Sequence, residues 1–158
     1  MATAYRTIRQ PDGYLDPAPE REMLELDRDQ CVWALDTADV GRVVAMLPSG
    51  APVIRPVNYF FDVPSQSIIF HTGLGTKLYA LLQSTKAWFE VDGIDADEQG
   101  GWSVIVEGVS EEVTSAGELA RLRASGPMPW APGTKHRCFR IRAVTVTGRR
   151  IIHASDWR

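Results

Sequence analysis

Residues 40–72 read VGRVVAMLPSGAPVIRPVNYFFDVPSQSIIFHT, and this stretch decides the fold class. It holds three β-rich runs separated by turn signals. GRVVAML ends at Pro48-Ser49-Gly50, APVIRPVNYFFD ends at Val63-Pro64-Ser65-Gln66, and SIIFHT follows. Clusters of proline, glycine and small polar residues break strands and set turns. Connections this short cannot hold a helical crossover, so the three runs pair antiparallel, as a meander. Pro52 and Pro56 have no N–H to give a ladder, which places the start of the second run at a sheet edge or a bulge.

Working outward, GTKLYALLQS reads as a helix of two or three turns with Leu78, Leu81 and Leu82 on one face. KAWFEVD is a fourth strand, and GWSVIVEGVSEEVT a long fifth one flanked by glycines. SAGELARLRAS follows as a helix capped by Ser115, with Glu118 three residues later. GPMPWAPG is a rigid loop, and HRCFRIRAVTVTGRRI a long final strand. Towards the N-terminus, Leu24, Cys31 and Leu35 fall at helical spacing. A short helix is expected from about Asp27 to Thr37, capped by Asp27 or Asp29, as a lid over one barrel end. The proline-bearing start reads as an arm. The expectation is a mainly β chain, with residues 1–22 as the arm and 23–154 as one domain. That domain is a six-stranded antiparallel split β-barrel with two or three short helices, a closure that removes exposed strand edges.

Length and composition suit one domain: 158 residues, 44% hydrophobic and 23% charged. A net charge of -3 argues against a nucleic-acid partner, which needs a basic footprint. No apolar run is long enough to span a membrane, and the first twenty residues hold no signal-peptide core, so no membrane partner is expected. Cys31 and Cys138 stand alone among apolar neighbours, as buried thiols of a reducing cytoplasm. No ligand stands at metal spacing to either cysteine or to His71, so no metal site is expected. Neither a nucleophile elbow nor a paired-carboxylate pattern supports hydrolysis.

The segment richest in chemistry is FHTGLGTK, residues 70–77, between a strand and a helix. Gly73 and Gly75 permit a tight turn, Thr76 can cap the helix, and Lys77 lies in its first turn. Free N–H groups at a helix start attract anions, and Thr72, Thr76 and Lys77 add hydroxyls and an ammonium suited to phosphate. The spacing matches neither a Walker loop nor the dinucleotide glycine pattern. Arg55, on the neighbouring run, can reach the same phosphate or simply face solvent. Asn58 is an amide in an apolar strand, bonded either to backbone or to a ligand. His71 can donate to phosphate, shuttle a proton or serve structure. Trp102 offers a flat wall for a ring or plain core packing, and Ser103 a hydroxyl for a ring heteroatom. Trp130, braced by Pro127, Pro129 and Pro132, is a second wall or a dimer contact.

These segments together resemble the pyridoxamine 5′-phosphate oxidase-like family of FMN-binding split-barrel proteins, in particular its small actinobacterial-type members. The matching stretches are Val40-Gly41-Arg42-Val43, Pro52-Val53, Arg55-Pro56-Val57-Asn58-Tyr59 and Ile69-Phe70-His71-Thr72. Gly75-Thr76-Lys77-Leu78, Gly101-Trp102-Ser103-Val104, Glu107-Gly108 and Val146-Thr147-Gly148-Arg149-Arg150-Ile151 continue the order. The resemblance implies a homodimer with two cofactor sites at the subunit interface. By motif position, Arg55, Thr72, Thr76 and Lys77 would hold the cofactor phosphate, with His71 beside them. The backbone of Pro56, Val57, Asn58 and Tyr59 would run along the flavin. Trp102 and Ser103 would contact ring or ribityl chain from the other subunit, and Trp130 would border the substrate. The departures argue against pyridoxamine phosphate as substrate. An adjacent basic pair is replaced by Thr76-Lys77, a glutamine by Ser103, and the C-terminal arginine motif is missing.

The expected function is that of an FMN-dependent oxidoreductase acting on a small molecule, with no acid or base identified. One alternative is an F420-dependent reductase, whose anionic cofactor tail would need a basic groove from Arg137, Arg140, Arg142, Arg149 and Arg150. Another is a non-catalytic flavin carrier or sensor. Some relatives of the family bind heme instead.

Overall fold

The turns at Pro48–Gly50 and Val63–Gln66 do what their residues require, and the three runs form an antiparallel meander. The structure, a computed structural model, describes residues 21–96, 99–126 and 137–153. In chain order the elements are β1 (Arg21–Leu26), α1 (Arg28–Thr37), β2 (Val40–Met46), β3 (Pro52–Asp62) and β4 (Ser67–Thr72). They continue as α2 (Thr76–Gln83), β5 (Lys86–Asp95), β6 (Gly100–Val113), α3 (Ala116–Ser125) and β7 (Arg137–His153). The strand order is β1-β7-β4-β3-β2-β5-β6, and a β6–β7 ladder closes the last six into an antiparallel barrel. The six strands expected from the sequence are these six.

Alternation fills the barrel. On β2, Gly41, Val43 and Ala45 point inward and are buried, and on β5 Ala87, Phe89 and Val91 do the same. Tyr59 meets Phe89 edge to face at 4.5 Å between ring centroids, and its hydroxyl donates to the Leu35 carbonyl at 2.7 Å. That bond seats α1 over the interior, where Cys31, Ala34 and Leu35 are buried. The helix is the expected lid. Its N-cap is Asp27, which accepts from the Gln30 N–H at 2.8 Å while Gln30 accepts from the Asp27 N–H at 2.9 Å.

Outside the barrel, α3 covers a second cluster of Ile69, Val113, Leu122 and Cys138. It is tied down by Arg121, which donates to both oxygens of the buried Asp62 at 2.8 and 3.0 Å. β7 can serve two neighbourhoods because a bulge at Glu107/Gly108 bends the β6–β7 ladder. Before the bulge β7 pairs with β4, and after it with β1.

Three local expectations need correction. Leu24 belongs to no helix: it sits in β1, where pairing with β7 outweighs the weak strand preference of a Glu-rich segment. Leu82 is 51% exposed, and Ala80 takes its place beside Leu78 and Leu81 in the core. Ser115 is the N-cap residue of α3 but makes no side-chain cap bond, and Glu118 pairs with Arg140 of β7 instead of closing a capping box. Residues 1–20 and 154–158 lie outside the described residues, so the arm does too. Cys31 and Cys138 are free and buried. Among the described residues no helix is long and apolar enough to cross a membrane.

Candidate cofactor site

The site begins where the meander comes apart. β3 and β4 pair only from Tyr59↔Phe70 to Asp62↔Ser67. Beyond Tyr59, β3 continues along β2 through Asn58↔Val40 to Pro52↔Met46, while β4 continues along β7 through His71↔Cys138 and Thr72↔Arg137. The barrel wall therefore splits, and Pro52–Asn58 of β3 keep one edge with no strand against it among the described residues. Pro52 and Pro56 are tolerated for that reason. Were the lost register continued, Val57 would face Thr72, and Arg55 would face the turn that leads into α2.

On one lip of this split, Arg55 shares the inward parity of buried Val53 and Val57 but is itself exposed. One N–H of its guanidinium donates to the Ile54 carbonyl at 2.7 Å, and it forms no ion pair among the described residues. Asn58 is half-buried and donates to the Asp39 carbonyl at 3.5 Å. Tyr59 points inward, and burial followed by the nearby Asp36 and Asp39 charges pushes its phenol well above the usual value. Tyr59 is thus a structural anchor whose backbone, not side chain, can border a ligand.

On the other lip, Thr72 is buried, and its hydroxyl donates to the Gly73 carbonyl at 3.2 Å. Helix α2 starts after Gly75, whose φ of 147° belongs to a region that only glycine adopts at ease. Here the expectation is corrected: the N-cap is Gly75, and Thr76 is the first helical residue. A glycine has no side chain to accept from the first-turn N–H groups, so these carry no side-chain cap. The half-buried Lys77 lies with its Nζ 5.6 Å from the centroid of Phe70, whose partner on β3 is Tyr59. His71 is half-buried. Burial first, and then Arg123, hold its imidazole below the usual value, so it is neutral at pH 7 and adds no charge.

Trp102 and Ser103 lie elsewhere. β6 is three strands from β3 in either direction round the barrel, so one chain sets them on the opposite wall. As neighbours on a strand they also face opposite ways. The Trp102 ring lies against Gly93, in a cleft under α1, and Ser103 faces outward into a cleft of about 530 Å³ with Glu25, Ile105, Thr147 and Arg149. Trp130 lies outside the described residues.

Three of the five arginines named for a basic groove face carboxylates. Arg137 is held by Glu112, Arg140 by Glu111 and Glu118, and Arg142 lies 3.7 Å from Glu111. Only Arg149 and Arg150 of the five form no ion pair among the described residues. Two residues on α1 line the same cleft as Trp102: Trp33, which the sequence reading does not single out, and Asp29, which it considers only as a helix cap. Their spacing of four was the available signal, but an aromatic in a short helix reads equally well as core.

Comparison with known proteins bears on the family and the fold. A family model described as pyridoxamine 5′-phosphate oxidase matches residues 27–150. An uncharacterized protein of Mycobacterium tuberculosis is 33% identical over 141 residues, covering 86% of this chain and 90% of its own. Among solved structures, a Corynebacterium glutamicum protein carrying the pyridoxamine 5′-phosphate oxidase name is 27% identical. It superposes with a TM-score of 0.72 over 88% of this chain and 98% of the other. An FAD-binding protein of Mycobacterium smegmatis is 28% identical, with a TM-score of 0.64 over 80% of this chain and 96% of its own.

Proposed function

This chain belongs to the pyridoxamine 5′-phosphate oxidase family, and from that premise we propose that it binds FMN and acts as an oxidoreductase on a small molecule. The observation that carries the reading is the split between β3 and β4, an opening with Arg55, which has no ion pair among the described residues, on one lip and a helix start without a side-chain cap on the other. The residues there suit a phosphate monoester. A Cβ at Gly75 would meet nothing within 4 Å, so the space before the helix is open. First-turn N–H groups and the Thr76 hydroxyl can donate into that space, and Arg55 and Lys77 supply two cations for one dianion. The neutral His71 can add a hydrogen bond but no charge.

From the phosphate, the rest of the cofactor would follow the β3 edge at Pro56, Val57 and Asn58, which no described strand covers, as far as Tyr59, where pairing with β4 begins. Ser103 sits on the far wall of the same chain, so a second copy has to bring it to this edge, and the proposed unit is a homodimer. A bound flavin supplies hydride and electron transfer, and the protein's part is to bind, orient and shield it. The FAD-binding relative supports a flavin as the class of cofactor. Neutralisation of Arg137 and Arg140 by Glu112, Glu111 and Glu118 weighs against the long anionic tail of F420.

The test is the absorption spectrum of the purified protein, with the mass of whatever denaturation releases. A flavin band and an FMN mass are expected. Lys77→Ala should weaken FMN binding by about ten- to a hundredfold, the loss of one charge-assisted contact, with the unfolding transition unmoved. A colourless protein that takes up F420 but not FMN would reassign the cofactor, and one that takes up neither would sink the proposal.

A further inference from the structure

A second cleft lies away from the β3/β4 split, between α1 and the ends of β6 and β7. On α1 the side chains of Asp29, Gln30 and Trp33 share one face, and Trp33 is 63% exposed. Opposite them is the ring of Trp102. It is pressed so closely on the Gly93 backbone that a Cβ there would come within 2.6 Å of the indole nitrogen, which fixes the ring as a rigid wall. Arg150 pairs with Trp102 across the β6–β7 ladder and forms no ion pair among the described residues. With Leu26 these residues enclose about 380 Å³, within the range of about 300–1,000 Å³ usual for small-molecule sites.

Two indoles and one guanidinium with no ion-pair partner among the described residues define a chemistry. A flat ring entering the cleft covers indole surface that water otherwise wets, and gains ring–ring contact. A carboxylate on that ring can take two parallel hydrogen bonds from the Arg150 fork. Asp29 repels an anion, so it sets the direction of entry, with the acid group towards Arg150. We propose that this cleft is a binding site for a planar aromatic carboxylate, separate from the cofactor edge and standing whether or not that edge holds FMN.

The experiment is calorimetric titration of the full chain with 2-naphthoate, its neutral carboxamide and the cationic 2-naphthylmethylamine. Saturable binding of 2-naphthoate at one site per chain is expected, about tenfold tighter than the carboxamide, with the amine weakest. Arg150→Gln should abolish the preference for the carboxylate while leaving the carboxamide in place. Trp33→Ala should weaken both by about tenfold, and Trp33→Phe should restore most of that. Trp33 is exposed, so the variant's thermal unfolding should match the parent and separate lost binding from lost fold. Lys77→Ala reports on the cofactor edge and should leave 2-naphthoate unaffected. No preference for the carboxylate, a preference that survives Arg150→Gln, or binding lost with Lys77 rather than Trp33 would each overturn the proposal.

Discussion

Asp62 is 5% exposed, and its carboxylate would be costly to bury without Arg121 of α3. Hydrogen bonds from Arg121, then Ser65 and the arginine's charge, hold its carboxyl below the usual range despite burial. The folded chain therefore binds that proton more weakly than the unfolded one. The pair's contribution is present above the ordinary value of 3.8 and fades as pH falls below it, through the folded value. Arg121→Ala should lower stability at neutral pH, and the gap to the parent should narrow at about pH 3. Urea midpoints at the two pH values check this. An equal gap at both would assign the loss to packing of the arginine stem. The same residue scale shows what a sequence hides. Arg137, Arg140 and Arg142 looked like a basic groove because their neutralising partners, Glu111, Glu112 and Glu118, are remote in sequence and reach them through the β6–β7 register and α3. Arg55 and Lys77 could be named as candidates from the sequence because the turn residues around them are local signals.

Glycines on two elements should respond with opposite signs. Gly41 on β2 faces inward, and an added Cβ would stand 2.1 Å from Phe89 Cζ and 2.8 Å from the Glu90 carbonyl oxygen. Gly41→Ala should destabilise by about 1–3 kcal/mol, because backbone blocks the way out as well as a ring. Gly117 lies in the first turn of α3, where a Cβ meets nothing within 4 Å. Gly117→Ala should stabilise by about 0.5–1 kcal/mol through helix propensity and a less free unfolded chain. Thermal melts of the two variants settle both signs. Nearly all elements were readable from turn residues and periodicity, since these are local signals. β1 was not, because REMLEL has the composition of a helix and becomes a strand only through the edge that β7 offers after its bulge. The start of α1 was readable to within a residue or two, with Asp27 or Asp29 as its cap, and the reciprocal bonds with Gln30 assign the cap to Asp27.

At the scale of the whole molecule, the parts of the proposed FMN site face different ways. Arg55 and Lys77 flank the split on one wall, while Ser103 faces outward from β6 on the opposite one. Residue order along the chain could name these groups but not show their separation, which follows from barrel closure. If one copy supplies the phosphate edge and its partner the Ser103 wall, each dimer holds two sites of mixed parentage. Lys77→Ala and Ser103→Phe damage different halves, and Ser103 faces a cleft rather than the core, so the larger side chain leaves the barrel intact. Dimers purified through two different tags, one on each variant, then contain one doubly damaged site and one intact site. At an FMN concentration at which each variant alone holds almost none, FMN content should return to about half that of the parent. Were both halves drawn from the same chain, every site in the mixed dimer would carry one lesion and none would fill. Recovery to half therefore assigns the site to the interface. Absence of recovery, with the dimer intact by gel filtration, confines it to a single barrel and removes the homodimer from the mechanism.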